Sequence, residues 1–300
     1  MAPVDICPHR LLDTHTLQLV EFDETDTIPP YAILSHTWIH GQEVVYKEYV
    51  QHQHQLQPTV SLSKTSKSGY HKIQAACQKA REDGIGYIWI DTCCIKQGNH
   101  HDVAENVTCM YAYYQNAQVC YAYIADFHTP RLHNYGFSSS ARDLFCWGSN
   151  WFQRGWTLQE LLAPRTVVFF RKDWMCIGDK HELRDVIHHR TTIPPDILSG
   201  EQSIQDVDVL DRMSWSMGRE TTRPQDLAYC LQGLLDVSIE PDYEEDWLTS
   251  FHRLRMGLFD AHPELEERLG IRNHYFYYLL MRRLTFVNAE KRTFDIEPSD

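Results

Sequence analysis

The sequence lacks both an apolar run long enough to cross a membrane and the clustered positive charge of a nucleic-acid surface. No stretch approaches the ~20 apolar residues of a membrane-spanning helix. The 28 lysines and arginines are outnumbered by 41 aspartates and glutamates, which gives a formal charge of −13. Because phosphate backbones are bound by concentrated positive charge, we predict no nucleic-acid partner. The N-terminal residues also lack a basic segment followed by an apolar one, so we predict no secretion signal.

Motifs for metals and bound cofactors are missing as well. There is no GxGxxG and no Walker sequence, so no phosphate loop is predicted. The adjacent pairs His100-His101, His188-His189 and Cys93-Cys94 do not have the spacing of a metal site. We therefore predict neither a metal nor a bound cofactor. The nine cysteines are odd in number and follow no disulfide framework, which favours a reducing cytoplasm.

The composition that remains is that of an ordered globular chain. Apolar residues make up 43% and aromatic residues 12% of the sequence. Three hundred residues suffice for one large domain or two modest ones with an ample core.

Strand and helix patterns alternate through the first two thirds of the chain. The short apolar runs predict strands, and the longer segments with apolar residues at helical spacing predict helices. The strands are predicted at 31–38, 87–91, 119–126 and 166–170, and the helices at 71–83, 102–117 and 180–189. Because these strands are apolar throughout, they predict a parallel sheet with helices on both faces, an α/β core of the flavodoxin-like, doubly wound kind. We assign residues 1–190 to this core, with an edge hairpin at 9–22.

The rest of the chain, residues 191–300, is predicted to be a helical extension packed on the core. A helix is expected at 222–234, with Thr222 as its N-cap and Pro224 in its first turn. A second, amphipathic helix is expected at 247–258. An apolar segment follows at 275–286, and its pattern does not distinguish a helix from a strand.

The candidate site lies where the predicted strands end, because ligands of doubly wound sheets bind beyond the carboxyl ends of the strands. Polar residues follow the strands there, at 35–38, 91–93 and 126. The predicted helix 157–162 adds one acid, Glu160, among three leucines, and Trp151, Arg154 and Trp156 lead into it. An acid on an apolar helix beside aromatics suggests a pocket for a flat, polar ligand. The alternatives are a half-exposed helix glutamate beside core aromatics, and a cysteine hydrolase that uses Cys93.

Six segments together resemble the fungal heterokaryon-incompatibility (HET) domain, in the order of that family and over about residues 10 to 260. They are RLLDT (10–14), PPYAILSHTW (29–38), YIWIDTCCI (87–95), MYAYYQNAQVCYAYIAD (110–126), WFQRGWTLQELLAP (151–164) and TTRPQDLAYCLQGLLDV (221–237). The resemblance implies a cytoplasmic fungal protein that triggers cell death when genetically unlike cells fuse. The sequence departs from the family at Lys96-Gln97, where aspartate-lysine is usual, and at DYEED (242–246), where a YGEG-like turn is usual.

HET domains in turn resemble TIR domains, which are flavodoxin-like and include enzymes that cleave NAD. YAILSHTW resembles the first TIR strand, and GWTLQELL resembles the TIR block that carries the catalytic glutamate, which implies that role for Glu160. The implied substrate is NAD or a related nucleotide, and the implied products are nicotinamide and ADP-ribose or its cyclised form.

The remaining site residues are expected to bind that substrate. Ser35 and His36 would donate to phosphate or ribose, Trp38 and Trp156 would stack on a ring, and Asp91 would shape the floor of the site. Cys93 and Arg154 are the other two residues expected to bind the substrate. The rival interpretation is a death-signalling module without catalysis that acts by self-association. Both interpretations predict a homo-oligomer and allow an incompatibility partner protein.

Overall fold

A seven-stranded sheet forms the centre of the molecule. The computed structural model describes residues 6–23, 25–53, 67–127 and 148–265. The strands are β1 Arg10–Asp13, β2 Leu19–Glu21, β3 Tyr31–His36, β4 Tyr87–Trp89, β5 Val119–Ile124, β6 Val167–Arg171 and β7 Cys176–Asp179. Across the sheet they follow the order β2-β1-β4-β3-β5-β6-β7.

The four central strands are parallel, and both edges are antiparallel. β3 pairs in parallel with β4 on one side and with β5 on the other, and β5 pairs in parallel with β6. The order β4-β3-β5-β6 is that of flavodoxin-like sheets, with the switch point beside β3. The α/β fold and the hairpin of β1 and β2 are therefore confirmed. The parallel core is flanked by antiparallel pairs at both edges, because β1 and β7 run antiparallel to their neighbours.

Ten helices lie in the described residues. They are α1 Tyr46–His52, α2 Ser68–Glu82, α3 Asp91–Cys94, α4 His100–Asn116, α5 Thr157–Leu162, α6 Arg184–Thr191, α7 Pro195–Ser199, α8 Val209–Ser214, α9 Asp226–Tyr229 and α10 Trp247–Ala261. Short 3₁₀ turns occur at Asn150–Gln153 and Ile204–Asp206. None of these described helices combines the length and the hydropathy that a membrane crossing requires.

The sheet is covered on both faces because its crossovers run in opposite directions. The chain moves from β3 through α2 to β4 on one side, and from β4 through α4 to β5 on the other. Right-handed crossovers then place α2 and α4 on opposite faces. Strand β3 is buried at all six residues, as expected of a strand between two helical layers.

The helix predicted at 222–234 is much shorter in the structure. Only α9 is helical there, and Thr222 accepts a hydrogen bond from Arg154 Nη2 at 2.6 Å rather than capping a helix. Backbone bonds such as Leu231 N to Ala228 O span three residues, so the segment winds as consecutive turns. Gly233 packs directly against the side chain of Tyr111, and any side chain at this position would clash with it. Close packing therefore outweighs helical periodicity here.

Three other predicted helices agree with the structure. The helices expected at 71–83, 102–117 and 247–258 are present as α2, α4 and α10, with ends shifted by at most three residues. The apolar segment 275–286 lies outside the described residues, as does most of the loop before Trp151.

A buried ion pair ties the edge strand β1 to α4. Arg10 donates through both terminal nitrogens to the carboxylate of Asp102, and also donates to the carbonyl of Cys94. Asp102 accepts a further bond from the backbone N–H of Lys96 at 2.7 Å. Both side chains are about one-tenth exposed, so the loss of Asp102 leaves the Arg10 guanidinium away from water with only the exposed Glu21, 3.0 Å from its Nε, as a carboxylate partner.

We expect Asp102→Ala to lower the free energy of unfolding by about 3 kcal/mol, because the buried Arg10 then keeps only the exposed Glu21 as a carboxylate partner. Urea denaturation measures the change. Asp173→Ala, which removes an exposed partner of Arg171, serves as the control and should leave unfolding almost unchanged. Equal effects of the two substitutions would contradict this account.

Candidate functional site

A cavity of about 380 Å³ opens at the carboxyl ends of β3 and β4. Its walls come from the residues after β3, the start of α3, one face of α4, the turn into α5, and a segment between 222 and 243. The volume lies in the range of small-molecule sites. The topology explains the position, because the switch point beside β3 leaves a crevice at this edge of the sheet.

The Glu160 side chain extends from α5 to the cavity, and a residue outside the cavity wall hydrogen-bonds its carboxyl group. The helix buries Leu158, Leu161 and Leu162 in the core, and Glu160 itself is only 6% exposed. The hydroxyl of Ser35, at the end of β3, donates to Glu160 Oε2. The same hydroxyl accepts a hydrogen bond from Trp151 Nε1 at 2.8 Å. The glutamate is thus fixed by the sheet and by the 3₁₀ turn before its own helix.

Burial raises the pKa of Glu160 to about 8. The hydrogen bond from Ser35 acts against this shift, the charge of Asp91 adds to it, and Arg154 and Tyr114 oppose it. At neutral pH the carboxyl group therefore holds its proton in most molecules, and a cation nearby would favour its ionised form.

Asp91 has the opposite shift. Burial alone would raise its pKa, but the charge and hydrogen bond of His36, with the Trp38 bond, keep the pKa below its usual value. His36 Nε2 bonds Asp91 Oδ1 at 2.9 Å, and Trp38 Nε1 donates to Oδ2 at 2.8 Å. One cavity thus contains a carboxylate and a carboxyl group whose pKa values are pushed apart, an arrangement typical of acid–base or charge-stabilising sites.

A buried chain of ionisable groups supports Asp91. Lys72 on α2 donates to both oxygens of Glu43 at 2.7 Å and to His36 Nδ1 at 2.6 Å. Because Nδ1 accepts this bond, the ring proton lies on Nε2 and is donated to Asp91. Burial lowers the pKa of Lys72, and the charge of Glu43 opposes that change. The chain therefore fixes the tautomer of His36 and the orientation of Asp91.

A second buried acid, Asp226, faces the cavity from the side opposite the sheet. The hydroxyl of Tyr243 donates to its Oδ1 at 2.8 Å. Burial raises the pKa of Asp226, against the hydrogen bonds of Trp156 and Tyr243. Trp156 therefore links the turn before α5 to this wall of the cavity.

Backbone hydrogen bonds attach that wall to the turn before α5. The N–H of Gly155 donates to Glu220 O at 2.7 Å, and the N–H of Glu220 donates to Gln153 O at 2.6 Å. A Cβ on Gly155 would lie 2.5 Å from Thr221 Cγ2, so only glycine allows this approach. Arg219 adds side-chain bonds to the carbonyl of Arg154, at 3.0 Å, and to Thr157.

Comparison with known proteins identifies the domain. The sequence profile of the family "Heterokaryon incompatibility protein (HET)" matches residues 31–143. The chain is 39% identical over 232 residues to the vegetative incompatibility protein HET-E-1 of Podospora anserina. The chain carries a HET domain. The alignment covers 76% of this chain but 16% of that relative, so the chain spans about a sixth of the length of the larger protein. No solved structure matches the chain at a significant level.

The HET domain brings most of the predicted site residues together. His36, Trp38, Asp91, Arg154, Trp156 and Glu160 all line the cavity. Trp38 is 50% exposed and Trp156 is half-buried, so both rings are accessible to a ligand. Ser35 lies behind the wall with its hydroxyl used by Glu160 and Trp151. His36 likewise has both ring nitrogens engaged, so these two side chains position the acids rather than donate to a substrate.

Cys93 does not line the cavity of this HET domain. The residue is fully buried, and its Sγ lies 3.7 Å from the carbonyl of Ile90. Burial raises the pKa of the thiol well above its usual value. Within the described residues no histidine hydrogen-bonds the sulfur, so a nucleophilic Cys93 has neither access nor a base.

Two cavity-lining residues were not predicted from the sequence. Asp226 and Tyr243 lie on a segment interpreted only as a helical extension. Lys72 does carry a detectable signal, because it falls on the same helix face as the buried Ile73 and Ala76. A lysine on an apolar helix face indicates a buried ion pair.

The raised pKa of Glu160 predicts a pH-dependent stability that Glu160→Gln removes. Between its ordinary value near 4.5 and about 8, the folded chain keeps a proton that the unfolded chain releases. Wild type should therefore lose stability relative to Glu160→Gln as pH rises through this window, by roughly 5 kcal/mol in total. Denaturation curves at several pH values measure the difference. The surface variant Glu182→Gln should show the same pH dependence of stability as wild type. An equal pH dependence of stability in wild type and Glu160→Gln would contradict the assignment.

Proposed function

We propose that this HET domain cleaves NAD between nicotinamide and ribose, with Glu160 as the catalytic residue. One observation carries the proposal: a buried, hydrogen-bonded glutamate faces a small-molecule cavity that also presents two accessible tryptophan rings. The similarity of YAILSHTW and GWTLQELL to the TIR blocks supports the same role.

The chemistry needs little beyond charge stabilisation. When the bond between ribose C1 and the nicotinamide nitrogen breaks, its electron pair goes to the cationic ring, which leaves as neutral nicotinamide. Positive charge develops on the ribose, as in other glycoside cleavages. An ionised Glu160 stabilises that charge and orients the ribose hydroxyls. Water then adds to C1 and releases a proton, which gives ADP-ribose; attack by a group of the same nucleotide would give a cyclised product.

The other cavity residues take binding and positioning roles in this proposal. Trp156 and Trp38 stack on the nicotinamide ring, and Arg154 offers its guanidinium to phosphate. Ser35 positions Glu160, and His36 positions Asp91, whose negative charge favours a cationic ring in the cavity. Such a ring also lowers the pKa of Glu160 and promotes its reactive, ionised form.

At the level of the cell, we propose that this activity acts in vegetative incompatibility and cell death. The support is the family and the name of the relative from Podospora anserina. A homo-oligomer in the cytoplasm, triggered by an incompatibility partner protein, is the arrangement we propose. The rival is a self-associating module without catalysis. An accessible cavity around Glu160 favours the enzyme, because a purely structural contact surface has no need of a buried acid beside an open pocket.

Glu160→Gln should lower the rate of NAD cleavage at least ~100-fold, because it keeps an acceptor for Ser35 but removes the negative charge. Nicotinamide release by the purified, concentrated protein measures the rate. Glu182→Gln should cleave as wild type does. Equal rates for Glu160→Gln and wild type would contradict the proposal, and no turnover by a demonstrably oligomeric wild type would favour the signalling module.

The pH dependence should follow the ionisation of Glu160. With a pKa of about 8 in the free protein, kcat/KM for NAD should rise with pH and level off above that value. The midpoint for kcat should be lower, because the bound cationic ring favours the carboxylate. Rates measured from about pH 6 to about pH 9, corrected for the rate without protein, would show this. A kcat/KM that falls across this range would exclude Glu160 as the ionised group.

A further inference from the structure

A second cavity of about 330 Å³ lies beside the first. Its lining residues are Gln97, His100, Val103, Arg223, Gln225 and Tyr243. Four of these, Gln97, Val103, Arg223 and Tyr243, also line the first cavity. The two cavities therefore share a wall, and a ligand longer than a single ring could occupy both.

The two cavities differ in charge. The first is lined by three acids, Asp91, Glu160 and Asp226, together with Arg154 and Arg223. Among the described residues that line the second there is no acid, whereas Arg223 and His100 are basic, and Gln97 and Gln225 carry amides. Asp91, whose pKa is kept low, gives the first cavity a carboxylate that attracts a cation, and the basic and amide groups of the second cavity suit an anion.

Arg223 has the position and the free donors that an anion requires. Its Cζ lies 4.3 Å from the centre of the Tyr243 ring, which holds the guanidinium at the wall between the cavities. Within the described residues, the guanidinium forms neither an ion pair nor a hydrogen bond. Its charge lowers the pKa of Asp226, but burial, the largest effect, leaves that pKa raised.

Four other arginines among the described residues differ from Arg223, because their guanidinium groups bind carboxylates. The pairs are Arg10 with Asp102, Arg171 with Asp173, Arg212 with Asp236, and Arg253 with Glu245. Arg223 is exposed and retains a planar set of donors that matches a phosphate.

We infer that the second cavity binds the diphosphate and nucleoside half of a dinucleotide, with Arg223 as a phosphate-binding residue in addition to Arg154. This inference rests on the proposed function and specifies its substrate: a dinucleotide with a cationic base at one end and a diphosphate in the middle. The acidic cavity takes the cationic end, and the cavity beside it takes the anionic remainder. Mononucleotides that reach only the first cavity should be poor substrates.

Binding of ADP, which lacks the reactive end, tests the inference without any turnover. Calorimetry should show that wild type binds ADP and that Arg223→Gln binds it at least ~10-fold more weakly. Arg184→Gln removes a positive charge outside both cavities and should bind as wild type does. Circular dichroism confirms that each variant is folded. Adenosine, which carries no phosphate, should bind more weakly than ADP.

The outcomes separate this inference from the proposed cleavage. Glu160→Gln should bind ADP with wild-type affinity, so ADP binding together with unaltered NAD cleavage in that variant would keep the nucleotide site and reject the catalytic glutamate. Arg223→Gln should raise KM for NAD more than KM for nicotinamide mononucleotide. Wild type that does not bind ADP, an Arg223→Gln protein that binds it normally, or adenosine that binds as tightly as ADP would each overturn the inference.

Discussion

One buried hydroxyl group sets the geometry of the site. Ser35 ends the central strand β3, and its oxygen binds the carboxyl group of Glu160 on one side and the indole of Trp151 on the other. The sheet fixes Ser35 rigidly, because β3 is paired with a parallel strand on each edge. A carboxyl group buried in an apolar helix would otherwise lack partners, which is costly away from water. The strand, the turn and the helix are therefore positioned by a single set of bonds.

The pKa values of Asp91 and Glu160, the two acids nearest the strand ends, differ because different groups bond their carboxyl groups. Asp91 is bonded by His36, which is backed by Lys72 and Glu43, so a cation is always close and the ionised form is favoured. Glu160 receives hydrogen bonds but no such buried cation, and desolvation dominates. Two carboxyl groups in one cavity thus acquire different charge states through the elements that lie behind them rather than through the cavity itself.

Local pattern predicted the parts of the structure that depend on local contacts. The central strands and the helix 157–162 follow from apolar spacing, and the strand ends identify the edge at which the cavity opens. The short, partly exposed strand β7 was missed because its four residues carry little periodic signal. The cavity wall from 222 to 243 was wrongly predicted to begin with a long helix. Its backbone conformation depends on contacts with residues more than sixty positions away, such as the contact of Arg154 with Thr222. A single sequence contains no record of such distant pairs.

The backbone bonds between Gly155 and Glu220 limit where this domain can be truncated. The family profile ends at residue 143, and the sheet is complete at Asp179, yet one wall of the cavity is contributed by residues after 219. A fragment that stops after the sheet would expose Gly155 and Trp156 to water and would open the cavity on that side. A fragment that keeps this wall of the cavity therefore extends at least to Tyr243.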